Sequence, residues 1–473
     1  MKMQRFLIVT ILFLAVSCVP TPDVSVRSHD LSKARMLLYV HSTESMPPDV
    51  EFAFSKVSLK DTFGNWVELL SEPASLSALE LVDNQVRISE AFIDAGTYVE
   101  FKAEIFSAFQ NIGSRRVELR VAESAKEIRM PLEINIEKGE SFVLALAWNP
   151  VKSVTFNDRF KLSMELHPQS FALKDLLLFV SNSGADYLTV IDRSYERVVG
   201  ALSVGKSPTG MVIDERGDYL YILNSGDSTI SVLNLNTFRL EDPIDLFAGI
   251  DPIDIAYMPE ADTGFDGGKL YVANRGSDDV TAVDISTKRV LKSVPVGDKP
   301  SHIASDSERR EVYVTNEESD SLSIIISIDD SVAVEIAVDD SPKGIYVGEE
   351  DIYVFNQMSG TISAVSPASR NVEWTMGVEE LPYRGLKLPD GRLFVLPYRG
   401  RALSLFDSVD VFIKKIELGS RPTGLDLDIS RSKLYVSNLD DGTVSVVDTV
   451  SENLVKDIMV GESPYGVVIL ERQ

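Results

Sequence analysis

A tetrad made of an aromatic residue, Val or Ile, one variable residue and Asn recurs along the C-terminal two thirds of this chain. It reads FVSN, YILN, YVAN, YVTN, YVFN, FVLP and YVSN, ending at Asn182, Asn224, Asn274, Asn316, Asn356, Pro397 and Asn438. The spacing is 40 to 42 residues except for one interval of 50, which carries the insert MPEADTGFDGGK. After each tetrad come a short polar turn and an alternating run such as TISVLN or TVSVVD, then a further strand and a proline motif: SPTG, DPID, KPSH, SPKG, LPYR, RPTG and SPYG. Alternating β-branched residues between Gly, Asp and Asn turns predict short antiparallel strands, four to a unit. Four-stranded units repeating every 42 residues or so are propeller blades, because one such sheet cannot bury its faces alone.

The repeats begin on a tetrad strand and stop at SPYGVVILERQ, the strand that should precede it. The C-terminal strand is therefore expected to complete the first blade and close a seven-bladed ring without open edges. Tetrad and proline motif together resemble the YVTN family of β-propellers, found in archaeal surface-layer and bacterial exported proteins, over residues 171–473. No Trp-Asp dipeptide recurs, which separates the repeat from other propeller types.

Residues 33–170 differ: segments such as ARMLLYVHS, TYVEFKAEI and SFVLALAW alternate at period two between turns at FGNW, DAG and EKGE, and predict a β-sandwich. The expected class is thus all-β throughout, a sandwich followed by a propeller. Ahead of it, Lys2 and Arg5 precede the apolar run Phe6 to Val16, too short to span a bilayer but suited to a signal peptide over residues 1–17. LAVSC ends in Cys18, the one cysteine of the chain, and resembles a bacterial lipobox, with Ala15 where Leu is usual. The resemblance implies lipidation at Cys18, a polar tether over 18–32 and, with Val19 following, sorting to the outer membrane of the bacterial envelope. An ordinary secretory signal with an incidental cysteine is the competing reading. One cysteine excludes an internal disulfide.

In an antiparallel hairpin the start of one strand and the end of the next lie together. All proline motifs and tetrads are therefore expected on one face, around the mouth of the central channel. The second residue after each motif proline reads Gly210, Asp254, His302, Gly344, Arg384, Gly424 and Gly466. Four glycines suit a positive φ or a close backbone approach. The three exceptions are side chains that move protons or clamp anions, or simply fill a hydrated channel. LPYRG occurs twice in blade six, at Pro382 and Pro397, and places Tyr383, Tyr398, Arg399 and Arg401 near Arg384. That sector is basic and aromatic in a chain of net charge −26, suited to carboxylate, phosphate or sugar, or else it is a degenerate repeat. The tetrad asparagines read as turn caps bonded to backbone. Asp262 and Asp266 in the insert match no calcium loop.

The acidic balance argues against nucleic acid. No haem-attachment motif, phosphate loop or G-x-S-x-G elbow is present, and one propeller histidine cannot build a multi-histidine metal site, so neither metal nor cofactor is expected. The leading expectation is a non-catalytic binding module, tethered to the membrane through Cys18, for an envelope protein, peptide or glycan. Resemblance to propellers of the phosphogluconolactonase type implies the alternative of a lactone or ester hydrolase. There His302 would be general base, Asp254 its orienter and Arg384 an oxyanion or carboxylate clamp. A structural surface-layer role is the third.

Overall fold

The computed structural model describes residues 32–155, 159–171, 176–247 and 249–470. Cys18, the leader and the tether as far as residue 31 lie outside the described residues. The described residues are nearly all β, and from Leu177 onward they form a ring of seven sheets. Blade one consists of Pro464–Ile469, Leu177–Asn182, Tyr187–Asp192 and Arg197–Ser203, so its innermost strand comes from the far end of the repeats. That strand pairs antiparallel with its neighbour in the register Leu178↔Ile469 and Asn182↔Pro464, which closes the circle as the repeat order predicted. Blades two to seven follow in chain order, led by Pro208, Pro252, Pro300, Pro342, Pro382 and Pro422.

In every blade the motif proline sits opposite the last residue of the tetrad, from Pro208↔Asn224 to Pro382↔Pro397 and Pro422↔Asn438. All fourteen points therefore lie at the same end of their hairpins. The seven proline-led strands neighbour one another around the axis. Between blades the packing is apolar: Ile303 and Val314 of blade four, for example, meet Tyr271 and Val280 of blade three.

The tetrad asparagines correct one expectation. Each is buried; Asn182 donates to the backbone oxygens of Val180 and Tyr187 as well as to the Thr189 hydroxyl, but the other amides reach side chains on the next strand. Asn316 Nδ2 donates to the hydroxyls of Ser321 and Ser323, both at 2.9 Å, and Asn438 does the same to Thr443 and Ser445. A hydroxyl seven residues on recurs at each of these asparagines, and in blades two, four, five and seven a second stands five residues on, tying the second strand of a blade to its third. Blade six, with Pro397 for Asn, has Ala402 and Ser404 at those places.

Ahead of the ring, two sheets face each other across one core. The first holds Met164–Pro168, Ser141–Trp148, Lys33–Ser42 and Gln85–Asp94 in that order; the second is built on Val50–Asp61 and Gly96–Ile112. Met36, Leu38, Leu144 and Leu146 meet Phe52, Phe54 and Phe101 between them. The other face of the first sheet is buried too: Leu37, Tyr39 and Val143 join Val180, Tyr187 and Ile191 of blade one in a single cluster. Polar contacts fix this junction. The Gln85 side chain donates to Val198 O at 3.3 Å and accepts from Val198 N–H at 2.9 Å, covering the outer edge of blade one. Arg87 donates to Val460 O at 3.0 Å and Lys456 to Asp83 O at 2.8 Å, so the two sheets also grip blade seven, beside the seam of the ring.

Candidate functional site

The strand pairing slips in all seven blades just after the motif proline; in blade four, Pro300 faces Asn316 but His302 already faces Thr315. One extra residue stands against a single partner, a β-bulge, and bulges re-aim side chains. The residue after the proline is the one released. Ile253, Ser301, Lys343, Tyr383, Thr423 and Tyr465, all at that place, line a cavity of about 460 Å³ at the channel mouth. The residue after each tetrad contributes the rest of the wall: Arg275, Glu317, Gln357, Tyr398 and Leu439, joined by Arg399 and Arg421. Two registers of the repeat therefore build the mouth. The sequence points to Tyr383, Tyr398 and Arg399 of this wall through the repeated LPYRG, but otherwise to the neighbouring register, although TISKYTY and SSREQYL, read down the blades, are the variable columns of an otherwise regular motif.

One residue further along the strand, Asp254, His302 and Arg384 meet in the channel. His302 Nε2 lies 3.0 Å from Asp254 Oδ2, and an Arg384 nitrogen lies 3.5 Å from the same oxygen. Asp254 is 7% exposed, His302 15% and Arg384 14%. Arg384 comes within reach although its blade is two removed from that of His302, because the four glycines at this register leave the axis clear. A Cβ on Gly344 would stand 2.5 Å from Tyr383 O, and one on Gly424 2.4 Å from Tyr465 O, each in the next blade. None of Gly210, Gly344, Gly424 and Gly466 has a positive φ, so close approach is their reason.

The network is internally satisfied. His302 Nδ1 accepts the backbone N–H of Ile345 at 2.8 Å, which leaves the ring proton on Nε2 to face Asp254. Asp254 Oδ2 also accepts from Ile303 N–H at 3.4 Å. Each side chain thus bonds the inner strand of the next blade. Burial lowers the affinity of His302 for a second proton and Arg384 lowers it further, with Asp254 opposing; the imidazole is neutral. Burial pushes the Asp254 carboxyl up, but His302 and Arg384 outweigh it and hold the group below the ordinary carboxylate value. Burial disfavours the Arg384 cation, and Asp254 more than restores it.

Above this layer, Tyr383 and Tyr465 join hydroxyls across the channel at 3.2 Å, and the Arg384 guanidinium lies 5.7 and 5.8 Å from their two rings. The two LPYRG copies divide their labour. Tyr383 and Tyr398 both reach the mouth, with ring centroids 5.9 Å apart. Arg384 turns down into the channel, whereas Arg399, at φ 62°, stays in the wall with its guanidinium 5.1 Å from the Tyr398 ring. Arg401 is placed apart from them: it is 65% exposed and faces Asp441 at 3.6 Å. In the insert, Asp262 is taken by Arg310 at 3.2 Å. Among the described residues no group of three or more His, Cys, Asp or Glu side chains is arranged to hold a metal.

Fold and mouth together define a seven-bladed β-propeller with a polar channel. Residues 211–334 match the family described as "Lactonase, 7-bladed beta-propeller", a stretch that contains Asp254 and His302 but not Arg384. Among curated proteins, Antigen Lp49 of Leptospira interrogans is 25% identical over 146 residues, covering 29% of this chain. The chain spans 30% of the length of that relative. A functionally unknown protein from Desulfotomaculum acetoxidans superposes with a TM-score of 0.55 at 11% identity, over 63% of this chain and 99% of the other. Dihydro-heme d1 dehydrogenase NirN, solved in complex with DHE, gives 0.50 at 13% identity, over 63% and 75%. These structures share the fold.

Proposed function

We propose that this chain is an exported, lipid-anchored envelope protein whose propeller, of the YVTN type, binds a ligand at the mouth without transforming it. The observation that carries the reading is that both ring nitrogens of His302 are committed inside the protein. A general base needs a lone pair facing the substrate's proton, and the Nδ1 lone pair of His302 already holds the Ile345 amide. Asp254, His302 and Arg384 then serve as the pin of the ring. The wall above them, with Arg275, Lys343, Arg399 and Arg421 around three tyrosines, supplies the recognition. Envelope proteins, peptides and glycans are the classes to screen.

The test is to offer the full chain, extracted in detergent, to a glycan array and to envelope extract beside an Arg399→Ser variant. Binding that the variant loses supports the mouth as the site. Binding that it keeps moves the interface elsewhere on the disc. Cys18→Ser should shift the protein out of the membrane fraction.

The family match over Asp254 and His302 favours a second reading, a lactone or ester hydrolase. It requires the Ile345 amide to release His302 and the tyrosine pair to part. A lactone panel read by acid release decides: hydrolysis abolished in His302→Ala would replace the non-catalytic reading.

A further inference from the structure

The mouth wall carries four cations, Arg275, Lys343, Arg399 and Arg421, against one carboxylate, Glu317, a local balance of +3 inside a chain of net charge −26. The cations fall on two arcs of the ring. On blades three to five, Arg275 and Lys343 converge on Glu317 Oε2, the arginine at 2.8 Å. Two positive groups share one acid there, and burial, with Arg275 and Lys299 adding to it, lowers the pKa of Lys343 in spite of Glu317. On blades six and seven, Arg421 faces Asp440 at 3.5 Å, outside the wall. Arg399 has, among the described residues, no carboxylate partner and rests on Tyr398 alone. Tyr383 and Tyr398 on blade six and Tyr465 on blade one line the same cavity. The cavity of about 460 Å³ falls in the size range of small-molecule sites.

The geometry points to a small dianion with a flat or ring-shaped body as the ligand. One carboxylate or phosphate group is taken by Arg399 and Arg421, the second by Lys343 and Arg275, and the body lies on the tyrosines. A single anionic group would answer one arc and leave the other short of negative charge. Arginine forks suit planar oxyanions, and tyrosine supplies contact area with a polar tip. The inference rests on the reading of the mouth as a ligand site and adds the ligand's chemistry to it.

Calorimetric titration of the full chain in detergent at low salt, with terephthalate, benzoate and phenyl phosphate, tests it. Terephthalate should bind about tenfold or more tighter than benzoate. Arg399→Gln and Lys343→Gln should each weaken terephthalate by about tenfold to a hundredfold, the worth of a charge-assisted contact. Glu317→Gln should tighten it, because two cations are released from their shared acid; a variant that merely misfolded would move the other way. Equal binding of terephthalate and benzoate overturns the inference. So does phenyl phosphate binding that survives Lys343→Gln at full strength, which would make the site a one-armed phosphate site. If none of the three probes binds while Arg399→Ser still abolishes capture of a glycan or envelope partner, the dianion is lost and the binding-face reading stands.

Discussion

The backbone N–H of Ile345 donates to His302 Nδ1 across the boundary between blades four and five, and Ile303 N–H reaches Asp254 across the boundary before it. Side chains at the position where other blades carry glycine therefore act as cross-ties between successive inner strands. His302→Ala should leave the Ile345 amide without its partner in a buried place, at a cost of about 1–3 kcal/mol. Urea unfolding would measure it, and an unchanged midpoint would show that water or a shift of the strand takes over.

Asp254→Asn is expected to cost more, about 3–5 kcal/mol, because Arg384 loses the buried carboxylate that balances it. The double variant Asp254→Asn/Arg384→Met should recover part of that loss. Strict additivity of the two single changes in unfolding experiments would mean that the pair is not coupled.

Gly344→Ala and Gly377→Ala form a matched pair. The first Cβ meets Tyr383 O at 2.5 Å, while the second meets nothing within 4 Å and has no positive φ. The first substitution should destabilise by about 1–3 kcal/mol through overpacking between blades five and six. The second should be neutral or slightly stabilising. Thermal unfolding of the two proteins side by side separates axis crowding from a general glycine effect.

The His41 imidazole, in the pocket between the first sheet and blade one, is held down to about 4 from its ordinary 6.5, chiefly by burial and then by Arg197 and His167. Above pH 6.5 neither folded nor unfolded chain protonates it. Between 6.5 and about 4 only the unfolded chain takes up the proton, so stability falls as pH falls, by up to about 1.4 kcal/mol per pH unit. His41→Gln should flatten the profile in that window. Parallel profiles for the two proteins would contradict the assignment.

The number of blades, their register and the strand that seals them were legible because each depends on a motif that recurs seven times. The meeting of Asp254 with His302 followed from adjacent blades at one register. That Arg384 reaches Asp254 from two blades beyond His302 depends on the width of the axis, which local pattern does not encode. Of the mouth wall, Tyr383, Tyr398 and Arg399 were legible from the repeated LPYRG, but Arg275, Lys343, Arg421 and Tyr465 were missed because a bulge, invisible in alternation, exchanges the residue after the proline for the one beyond it. ARMLLYVHS reads as alternating with one face outward, but the strand Lys33–Ser42 is buried on both faces, and only the contacts of Leu37 and Tyr39 show where the second face goes. The tetrad asparagines were expected to bond backbone, and Asn182 does; Asn316 and Asn438 instead hold hydroxyls on a strand that the tetrad itself does not contain.

Blade one is assembled from strands nearly three hundred residues apart in the chain, Leu177–Asn182 and Pro464–Ile469. On the ribosome its three outer strands emerge long before the inner one exists, and throughout that time one edge of the sheet lies open to any strand that happens by. Its other edge is already guarded, since Gln85 belongs to a portion synthesised earlier still and occupies Val198 from outside. Order of synthesis thus leaves this blade a single vacant edge, and the strand Pro464–Ile469, made long afterwards, is the one that fits it.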